Sequence, residues 1–284
     1  MSRKLWYYPG CTLKTKARNL ERAAFAAVAK LDLELVELPR WNCCGVVFSL
    51  ARDDLMRQIA PIRNLIRVKE QGGREVVALC AFCYNTLARA NLLMRGDQEK
   101  LSILNDFMYE EETKYEGEVE VMHFLQILAE LGWERIKEKV RKPLSGLRLA
   151  PYYGCALIRP EDVAIDSPER PLILHMLLDS LGAEVVDFPF SNQCCGSFQI
   201  VANPEAVEDA VDAILSSAKA CGADAVVTSC PLCDYNLGSK QREKTPIFYF
   251  SQLLALALGV DPRECGFEEN WGGASELLRA RGLI

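Results

Sequence analysis

The chain lacks the features that mark several large protein classes. Its 284 residues carry a formal net charge of -6, whereas a nucleic-acid binder needs a basic face for phosphates. No apolar run reaches the roughly 18 residues that a membrane span requires, and the opening MSRKLWYYPGC has no apolar signal core of roughly 7–15 residues. These absences predict a cytoplasmic protein with no nucleic-acid partner and no membrane span.

Cysteine, by contrast, is abundant, with 12 residues in the chain. In a reducing compartment disulfides are not expected, and adjacent cysteines rarely reach disulfide geometry. Metal ligation and redox catalysis are then the common roles. Ten of the cysteines form two sets with the same order, a single C, then C-C-G, then C-x-x-C: Cys11, Cys43, Cys44, Cys80 and Cys83, and Cys155, Cys194, Cys195, Cys230 and Cys233.

The spacing and the flanking sequence repeat together. The first gaps hold 31 and 38 residues, the second gaps hold 34 and 33, and Cys221 and Cys265 fit neither set. KLWYYPGC matches RLAPYYGC, and REVVALCAFC matches ADAVVTSCPLC. Self-similarity of this kind indicates two copies of one unit. We predict domains at 1–143 and 144–284, joined near EKVRKPLSG.

Each copy alternates short β-rich runs with helical patterns. In the first copy KLWYY, LELVEL and EVVAL read as strands, while 19–31, 53–73 and a segment from about Tyr84 read as helices, the second interrupted at Pro61. In the second copy NPEAVEDAVDAILSSAKACG reads as a helix. The alternation predicts two related α/β domains with mostly parallel sheets.

The cysteines follow the predicted strands. Because the carboxyl ends of parallel strands share one edge, where α/β sheets bind ligands, five thiols should converge in each copy. Gly45 and Gly196 should let the backbone turn tightly beside them.

Five convergent sulfurs leave several occupants open. A structural zinc takes four ligands, and a cubane iron–sulfur cluster also takes four. C-x-x-C alone also occurs in thioredoxin-like motifs, which do not recruit a C-C-G partner. The repeated five-cysteine pattern favours metal over redox thiols, and we favour iron–sulfur over zinc.

The tandem C-x(31–38)-C-C-G-x(33–34)-C-x-x-C pattern covers nearly the whole chain and resembles the B subunit of heterodisulfide reductase, in the cysteine-rich CCG-domain family. The resemblance implies an oxidoreductase that reduces the mixed disulfide of coenzyme M and coenzyme B, or a related disulfide, to two thiols in methanogenesis. It also implies two noncubane [4Fe–4S] clusters, one per motif. The catalytic and cluster-binding roles carry over to the ten motif cysteines alone.

Two clusters also suit the chemistry. Disulfide reduction needs two electrons, and iron–sulfur clusters usually pass one at a time, so two facing clusters could supply one each. No G-x-G-x-x-G follows a predicted strand, and no bacterial-ferredoxin run is present, so electrons should arrive from other subunits. The resemblance implies a ferredoxin-like C subunit and a flavin-containing A subunit, with hydrogenase or formate dehydrogenase subunits as further partners.

An alternative comes from other CCG proteins. The chain could be a non-catalytic electron-transfer subunit of a lactate, glycolate or quinone-linked dehydrogenase complex. Related methanogen proteins often carry a histidine after the first cysteine of the second motif, where this chain has Ala156. That departure bears on the proton donor and on the substrate.

Other candidate residues lie near the cysteines. Basic side chains that would suit anionic coenzymes, and tyrosines that could donate a hydrogen bond, follow or precede the first cysteine of each set: Lys14, Lys16, Arg18, Arg159, Tyr8, Tyr152 and Tyr153. Solvated charge and core packing are the competing roles. His123 and His175 lie in apolar stretches without metal-ligand spacing, and packing is expected for both.

Overall fold

The computed structural model of the chain describes residues 3–46 and 54–284. The first half contains β1 Arg3–Tyr8, α1 Gly10–Leu13, α2 Arg18–Lys30, β2 Leu33–Glu37, α3 Ile59–Glu70, β3 Glu75–Ala78, α4 Ala81–Gly96, α5 Gln98–Phe107, β4 Glu120–His123, α6 Phe124–Leu131 and α7 Trp133–Lys139. The second half contains β5 Arg148–Pro151, α8 Ile173–Ser180, β6 Glu184–Val185, α9 Pro204–Ala220, β7 Ala225–Thr228, α10 Pro231–Ser239, β8 Ile247–Tyr249, α11 Phe250–Ala257, α12 Pro262–Cys265 and α13 Ala274–Ala280.

The strands form two sheets of four, with the orders β2-β1-β3-β4 and β6-β5-β7-β8. Every pairing is parallel, and Trp6 lies opposite Val36 on one side and Val76 on the other. The two orders match strand for strand, so the predicted α/β class with two related parallel sheets is confirmed.

Residue patterns explain which strands lie inside. The central strand β7, Ala225–Thr228, is buried along its whole length, as expected where helices cover both faces of a parallel sheet. The edge strand β2 instead begins with buried Leu33, exposed Glu34 and buried Leu35. On α2 the buried residues recur at three- and four-residue spacing, which is the apolar face of a surface helix.

Several predicted elements need correction. Pro61 does not interrupt the second helix, because α3 begins at Ile59 and Pro61 lies in its first turn, where a missing N–H costs little. A 3₁₀ helix, Leu55–Gln58, precedes α3, and the predicted start at Asp53 lies outside the described residues. The edge strands β4 and β8 were not predicted, since each is short and runs directly into a helix.

Helices of the two halves pack against each other. Helix α2 of the first half lies against α11 of the second, and α8 of the second lies against α6 and α7 of the first. Ser251 donates a buried hydrogen bond to the carbonyl of Leu20 at 2.8 Å. Buried apolar side chains of both halves form one continuous core. The predicted boundary at 143/144 falls between α7 and β5 and stays a prediction.

The longest helix of the second half, α9, has 17 residues. Across 3–46 and 54–284, no helix combines the length and the apolar character needed to cross a bilayer.

Candidate functional site

The ten motif cysteines lie just beyond the carboxyl ends of the strands. In the first half Cys11 lies in α1 directly after β1, Cys43 and Cys44 follow β2, and Cys80 and Cys83 lie at the start of α4. The second half repeats this placement after β5, after β6 and at the start of α10. The parallel topology therefore brings residues far apart in sequence to one edge of each sheet.

The sulfurs form close pairs within each half. In the first half Sγ–Sγ distances are 3.7 Å for Cys11–Cys43 and 3.7 Å for Cys44–Cys83. In the second half they are 3.8 Å for Cys155–Cys194 and 3.5 Å for Cys195–Cys233. All ten are free thiols. The pairing is the same in both halves, so the repeat in sequence is a repeat in space.

The sulfurs differ in access to solvent. Six are buried, Cys155 is half-buried, and three are exposed, namely Cys11, Cys43 and Cys194. The exposed sulfurs come from the first cysteine or from the first position of C-C-G. Each site therefore has a buried side, formed by the C-x-x-C helix, and an open side.

The C-C-G loops turn as the sequence predicts. Gly45 has φ +78° and Gly196 has φ +76°, in the left-handed region that favours glycine. In each half a tyrosine at the end of the first strand, or directly after it, forms a hydrogen bond to the C-C-G loop. The hydroxyl of Tyr8 donates to the carbonyl of Asn42 at 2.8 Å, and that of Tyr152 donates to the carbonyl of Gln193 at 2.7 Å. Both carbonyls belong to the residue before C-C-G, so these tyrosines support the cysteine loops.

Two further glycines beside the sulfurs were not among the predicted site residues. Gly10 and Gly154 precede the first cysteine of each set, with φ +69° and +62°. A Cβ at Gly10 would lie 2.8 Å from the Cys83 sulfur, and one at Gly154 would lie 3.2 Å from the Cys233 sulfur. The signal was the repeated G-C dipeptide in PGC and YGC.

Hydrogen bonds within each set favour the thiolate at some sulfurs and the neutral thiol at their partners, because the bond that lowers the pKa of one cysteine raises that of the other, as at Cys43 and Cys195. The amide of Asn236 lies 3.6 Å from the Cys195 sulfur, and the N–H of Gly196 lies 3.4 Å from the Cys194 sulfur. A hydrogen bond from Cys43 lowers the pKa of Cys44, and one from Cys155 lowers the pKa of Cys194. Thiolates are the form in which cysteine binds metal.

The donor set suits a thiophilic group. Thiolate ligands select zinc and iron–sulfur clusters, and each half presents five thiols at one sheet edge. Among the residues with described positions, no three His, Cys, Asp or Glu side chains are arranged to hold a single metal ion. The residues present fit an iron–sulfur cluster by donor chemistry.

Three of the four basic candidates, Lys14, Arg18 and Arg159, are engaged within the chain. Lys14 forms ion pairs with Glu21 at 2.7 Å and Glu37 at 2.6 Å. The guanidinium of Arg159 donates to the carbonyl of Asn192 at 2.8 Å. The guanidinium of Arg18 donates to the carbonyl of Lys14 at 3.1 Å, and Lys16 is exposed.

The histidines make structural contacts. His123 is fully buried, with Nε2 3.0 Å from the carbonyl of Leu79 and Nδ1 accepting from the N–H of Leu125 at 3.2 Å. His175 lies 3.1 Å from Asp187. Tyr153 accepts a hydrogen bond from the N–H of His175 at 3.2 Å and does not meet a C-C-G loop carbonyl as Tyr152 does.

Aromatic rings join the two sites. Phe82, inside the first C-x-x-C, packs edge-on against Phe198, just after the second C-C-G, with ring centroids 5.6 Å apart. Phe82 is buried and Phe198 is 55 % exposed. The open side of the second site thus adjoins the C-x-x-C of the first.

The copies differ beside their C-x-x-C helices. Tyr84 packs on His123 in the first half. At the matching positions the second half has Asp234 and Tyr249, and the Trp271 N–H lies 3.2 Å from the Asp234 carboxylate. Burial raises the pKa of Asp234 to about 7. The sequence did not indicate the contact between Asp234 and Trp271, because Trp271 lies beyond the repeated segments.

Comparisons with known proteins agree with the duplicated site. A family model described as a cysteine-rich domain, CCG, matches residues 5–88 and 149–238. The chain is 33 % identical to the 8-methylmenaquinol:fumarate reductase membrane anchor subunit of Wolinella succinogenes, over 98 % of this chain and 100 % of that protein. It is 31 % identical to the B subunit of the ferredoxin/F(420)H(2)-dependent CoB-CoM heterodisulfide reductase of Methanosarcina acetivorans, over 94 % of this chain and 93 % of that protein.

The fold also occurs in a solved structure. A hypothetical protein from Helicobacter pylori superposes with a TM-score of 0.75 at 14 % identity, covering 95 % of this chain and 52 % of that one.

Proposed function

The chain belongs to the CCG cysteine-rich domain family, in two tandem copies, and we propose that it is the disulfide-reducing subunit of a heterodisulfide reductase-type complex. In this proposal each set of five motif cysteines holds one noncubane [4Fe–4S] cluster. The substrate is a small disulfide, such as that of coenzyme M and coenzyme B. The coarser assignment, to the iron–sulfur oxidoreductases related to heterodisulfide reductase, rests on the family and on the relative from Methanosarcina acetivorans.

The observation that carries the proposal is the duplicated sulfur geometry. Two sets of thiols, with matching pairs at 3.5–3.8 Å, lie at the carboxyl edges of two matching sheets. An iron–sulfur cluster in each set would supply one-electron transfer. Reducing a disulfide to two thiols consumes two electrons and two protons, which matches one electron from each site.

The side chains around the sulfurs have separable roles. Tyr8 and Tyr152 hold the C-C-G loops in place through the carbonyls of Asn42 and Gln193. The edge-on Phe82–Phe198 contact places apolar surface beside the C-x-x-C of the first site and the C-C-G of the second. The exposed sulfurs Cys11, Cys43 and Cys194 mark the sides from which a substrate or a partner would approach.

Electrons would come from other proteins of the complex. The Methanosarcina acetivorans relative is named for ferredoxin and F(420)H(2) dependence. We propose that a ferredoxin-like subunit is the immediate donor and that a flavin-containing subunit supplies it in turn.

A second candidate is electron transfer in a quinone-linked complex. The Wolinella succinogenes relative, 33 % identical over nearly the whole chain, is named as the membrane anchor of an 8-methylmenaquinol:fumarate reductase. In addition, Lys14 is already paired with Glu21 and Glu37, which neutralises one of the basic groups expected to hold an anionic disulfide. Both observations favour a relay that does not itself bind a small disulfide.

Metal analysis and a disulfide assay separate these functions. Anaerobically purified chain should contain about eight irons and matching sulfide, four per cluster, and should release thiol from the CoM–CoB disulfide when given an artificial reductant. Cys44→Ser should lower the iron content by about half, while Cys221→Ser, outside the motif, should leave it unchanged. Zinc without iron would refute both candidates. Full iron without thiol release, but with electron transfer to a quinone analogue, would establish the second.

A further inference from the structure

A helix of the first half holds the loop that carries a cysteine of the second half. The amide of Asn85, on α4, donates to the carbonyl of Ala156 at 2.9 Å and to that of Arg159 at 2.7 Å. Its neighbour Tyr84 donates to the carbonyl of Val163 at 2.9 Å. Asn85 and Tyr84 are both buried. These three bonds cross between the halves.

The loop held in this way is the turn that begins at Cys155. The N–H groups of Ile158 and Arg159 both donate to the Cys155 carbonyl, at 3.2 and 2.9 Å. The Arg159 guanidinium then donates to the carbonyl of Asn192, two residues before Cys194. A continuous chain of hydrogen bonds therefore runs from the helix of the first C-x-x-C to the Cys155 turn and on to the second C-C-G loop.

Among the described residues, no side chain of the second half donates to a carbonyl of the turn after Cys11, residues 11–15. The turn after Cys11 is closed by its own half, because the Thr15 hydroxyl donates to the Cys11 carbonyl at 3.0 Å. The second-half position that matches Asn85 is Tyr235, which is 52 % exposed and packs against Trp271. The segment between the first cysteine and C-C-G is also longer in the second half, 38 residues against 31. Hydrogen-bonded support of a cysteine turn therefore runs from the first half to the second, whereas the bond from Ser251 of the second half meets the first half further along, at Leu20 in α2.

We propose that Asn85 is a positioning residue for Cys155, so that the second cysteine site assembles only on the folded first half. The proposal rests on the proposed function only in assuming that the site holds a cluster. Asn85 has two suitably placed donors, and without them the buried carbonyl of Ala156 and the part-buried carbonyl of Arg159 lose their partner, which opens the turn. Cys155 would then leave the position beside Cys194 that a shared group requires.

The test compares two asparagine variants of the full chain. Asn85→Ala removes the bonds to the Cys155 turn. Asn91→Ala is the matched control, because Asn91 lies on the same helix, is also buried, and donates to the carbonyl of Val119 at 2.7 Å, within the first half. Asn85→Asp, which keeps the shape but loses the donors, is the second variant in case alanine impairs folding.

Two measurements are made on each variant. In the metal-free chain, amide hydrogen exchange at 155–165 should become about 10-fold faster in Asn85→Ala, as expected for a local loss near 1.4 kcal/mol. It should not change in Asn91→Ala. After anaerobic iron loading, Asn85→Ala should hold about four irons against about eight for the parent chain.

The outcomes are distinct. Unchanged exchange at 155–165 in folded Asn85→Ala or Asn85→Asp would overturn the proposal, and so would an equal increase in Asn91→Ala. If the parent chain binds no iron while the exchange at 155–165 still rises selectively, the proposed function fails and the positioning of the Cys155 turn by Asn85 stands.

Discussion

Gly10→Ala tests whether the first cysteine site needs the close approach of the Gly10 backbone to the Cys83 sulfur. A Cβ at Gly10 would lie 2.8 Å from the Cys83 sulfur, whereas ordinary contacts begin at 3.4 Å. The sulfur would have to move by about 0.6 Å, the difference between these two distances. Gly72 is the matched control, because its φ of +68° equals the +69° of Gly10 within a degree and no described atom lies within 4 Å of its Cβ position.

Both substitutions place an alanine in the left-handed region, and only Gly10→Ala also displaces a sulfur. An alanine in the left-handed region costs roughly 1–2 kcal/mol, and part of this is offset because alanine restricts the unfolded chain by about 0.4–1 kcal/mol. Both variants should therefore lose about 1 kcal/mol of unfolding free energy in the metal-free chain. Gly10→Ala adds the displacement of Cys83, which costs a free side chain about 0.5–1.5 kcal/mol as an off-rotamer angle. A bound cluster fixes that sulfur, so the added cost appears mainly in loading.

The iron content of the glycine variants should therefore follow the space around the added Cβ atom. Gly72→Ala should load iron like the parent chain, Gly154→Ala, with its Cβ 3.2 Å from the Cys233 sulfur, should load slightly less, and Gly10→Ala should lose most of one site. Iron and sulfide content after anaerobic reconstitution, with urea unfolding of the metal-free chain, measures both costs. Equal loading of Gly10→Ala and Gly72→Ala would refute the reasoning.

Two further predictions concern buried polar groups. Burial lowers the pKa of His123 from 6.5 to about 3, so only the unfolded chain takes up this proton between pH 7 and pH 5, and the folded state should lose about 2 kcal/mol over that interval. Urea midpoints of the metal-free chain should show this loss, and His123→Asn, which keeps an acceptor for the helix N-terminus, should reduce it; an undiminished loss would contradict the assignment. Tyr152→Phe leaves the Gln193 carbonyl without its donor and should cost about 1–3 kcal/mol of unfolding free energy, against less than about 0.5 kcal/mol for the exposed Tyr109→Phe. Equal unfolding free energies for these two tyrosine variants would show that the hydroxyl of Tyr152 does not support the loop.

The sequence predicts those parts of the fold that have a regular pattern of apolar residues or that occur in both copies of the repeat. Central strands such as β3, Glu75–Ala78, are short, mostly apolar runs between turn residues. Helix α9 begins with an asparagine cap and a proline and ends before Gly222. Except for β2, the edge strands were harder to predict. β6 has only two residues, Glu184–Val185, and pairs only with β5, so little of its pattern distinguishes it from a loop.

The sequence shows which residues are charged but not which residues they pair with. Lys14 was a candidate for an anionic substrate because it follows Cys11 by three residues. The fold instead places it between Glu21, on the neighbouring helix, and Glu37, at the end of β2. A basic residue near a site becomes a ligand only when the fold leaves it without an internal counter-ion, and spacing along the chain carries no information on that.

Some supports of the cysteines escape sequence analysis for a related reason. The tyrosines that hold the C-C-G loops, Tyr8 and Tyr152, repeat with the sulfurs, whereas other supporting groups are specific to one copy. Asn236 meets the Cys195 carbonyl at 3.0 Å where the first half has Thr86, and Asn85 meets the Cys155 turn where the second half has exposed Tyr235. A residue that acts across the two halves has no counterpart at the matching position. Comparing the copies therefore locates the shared sites, and their differences, such as Asn85 against Tyr235, indicate where one half depends on the other.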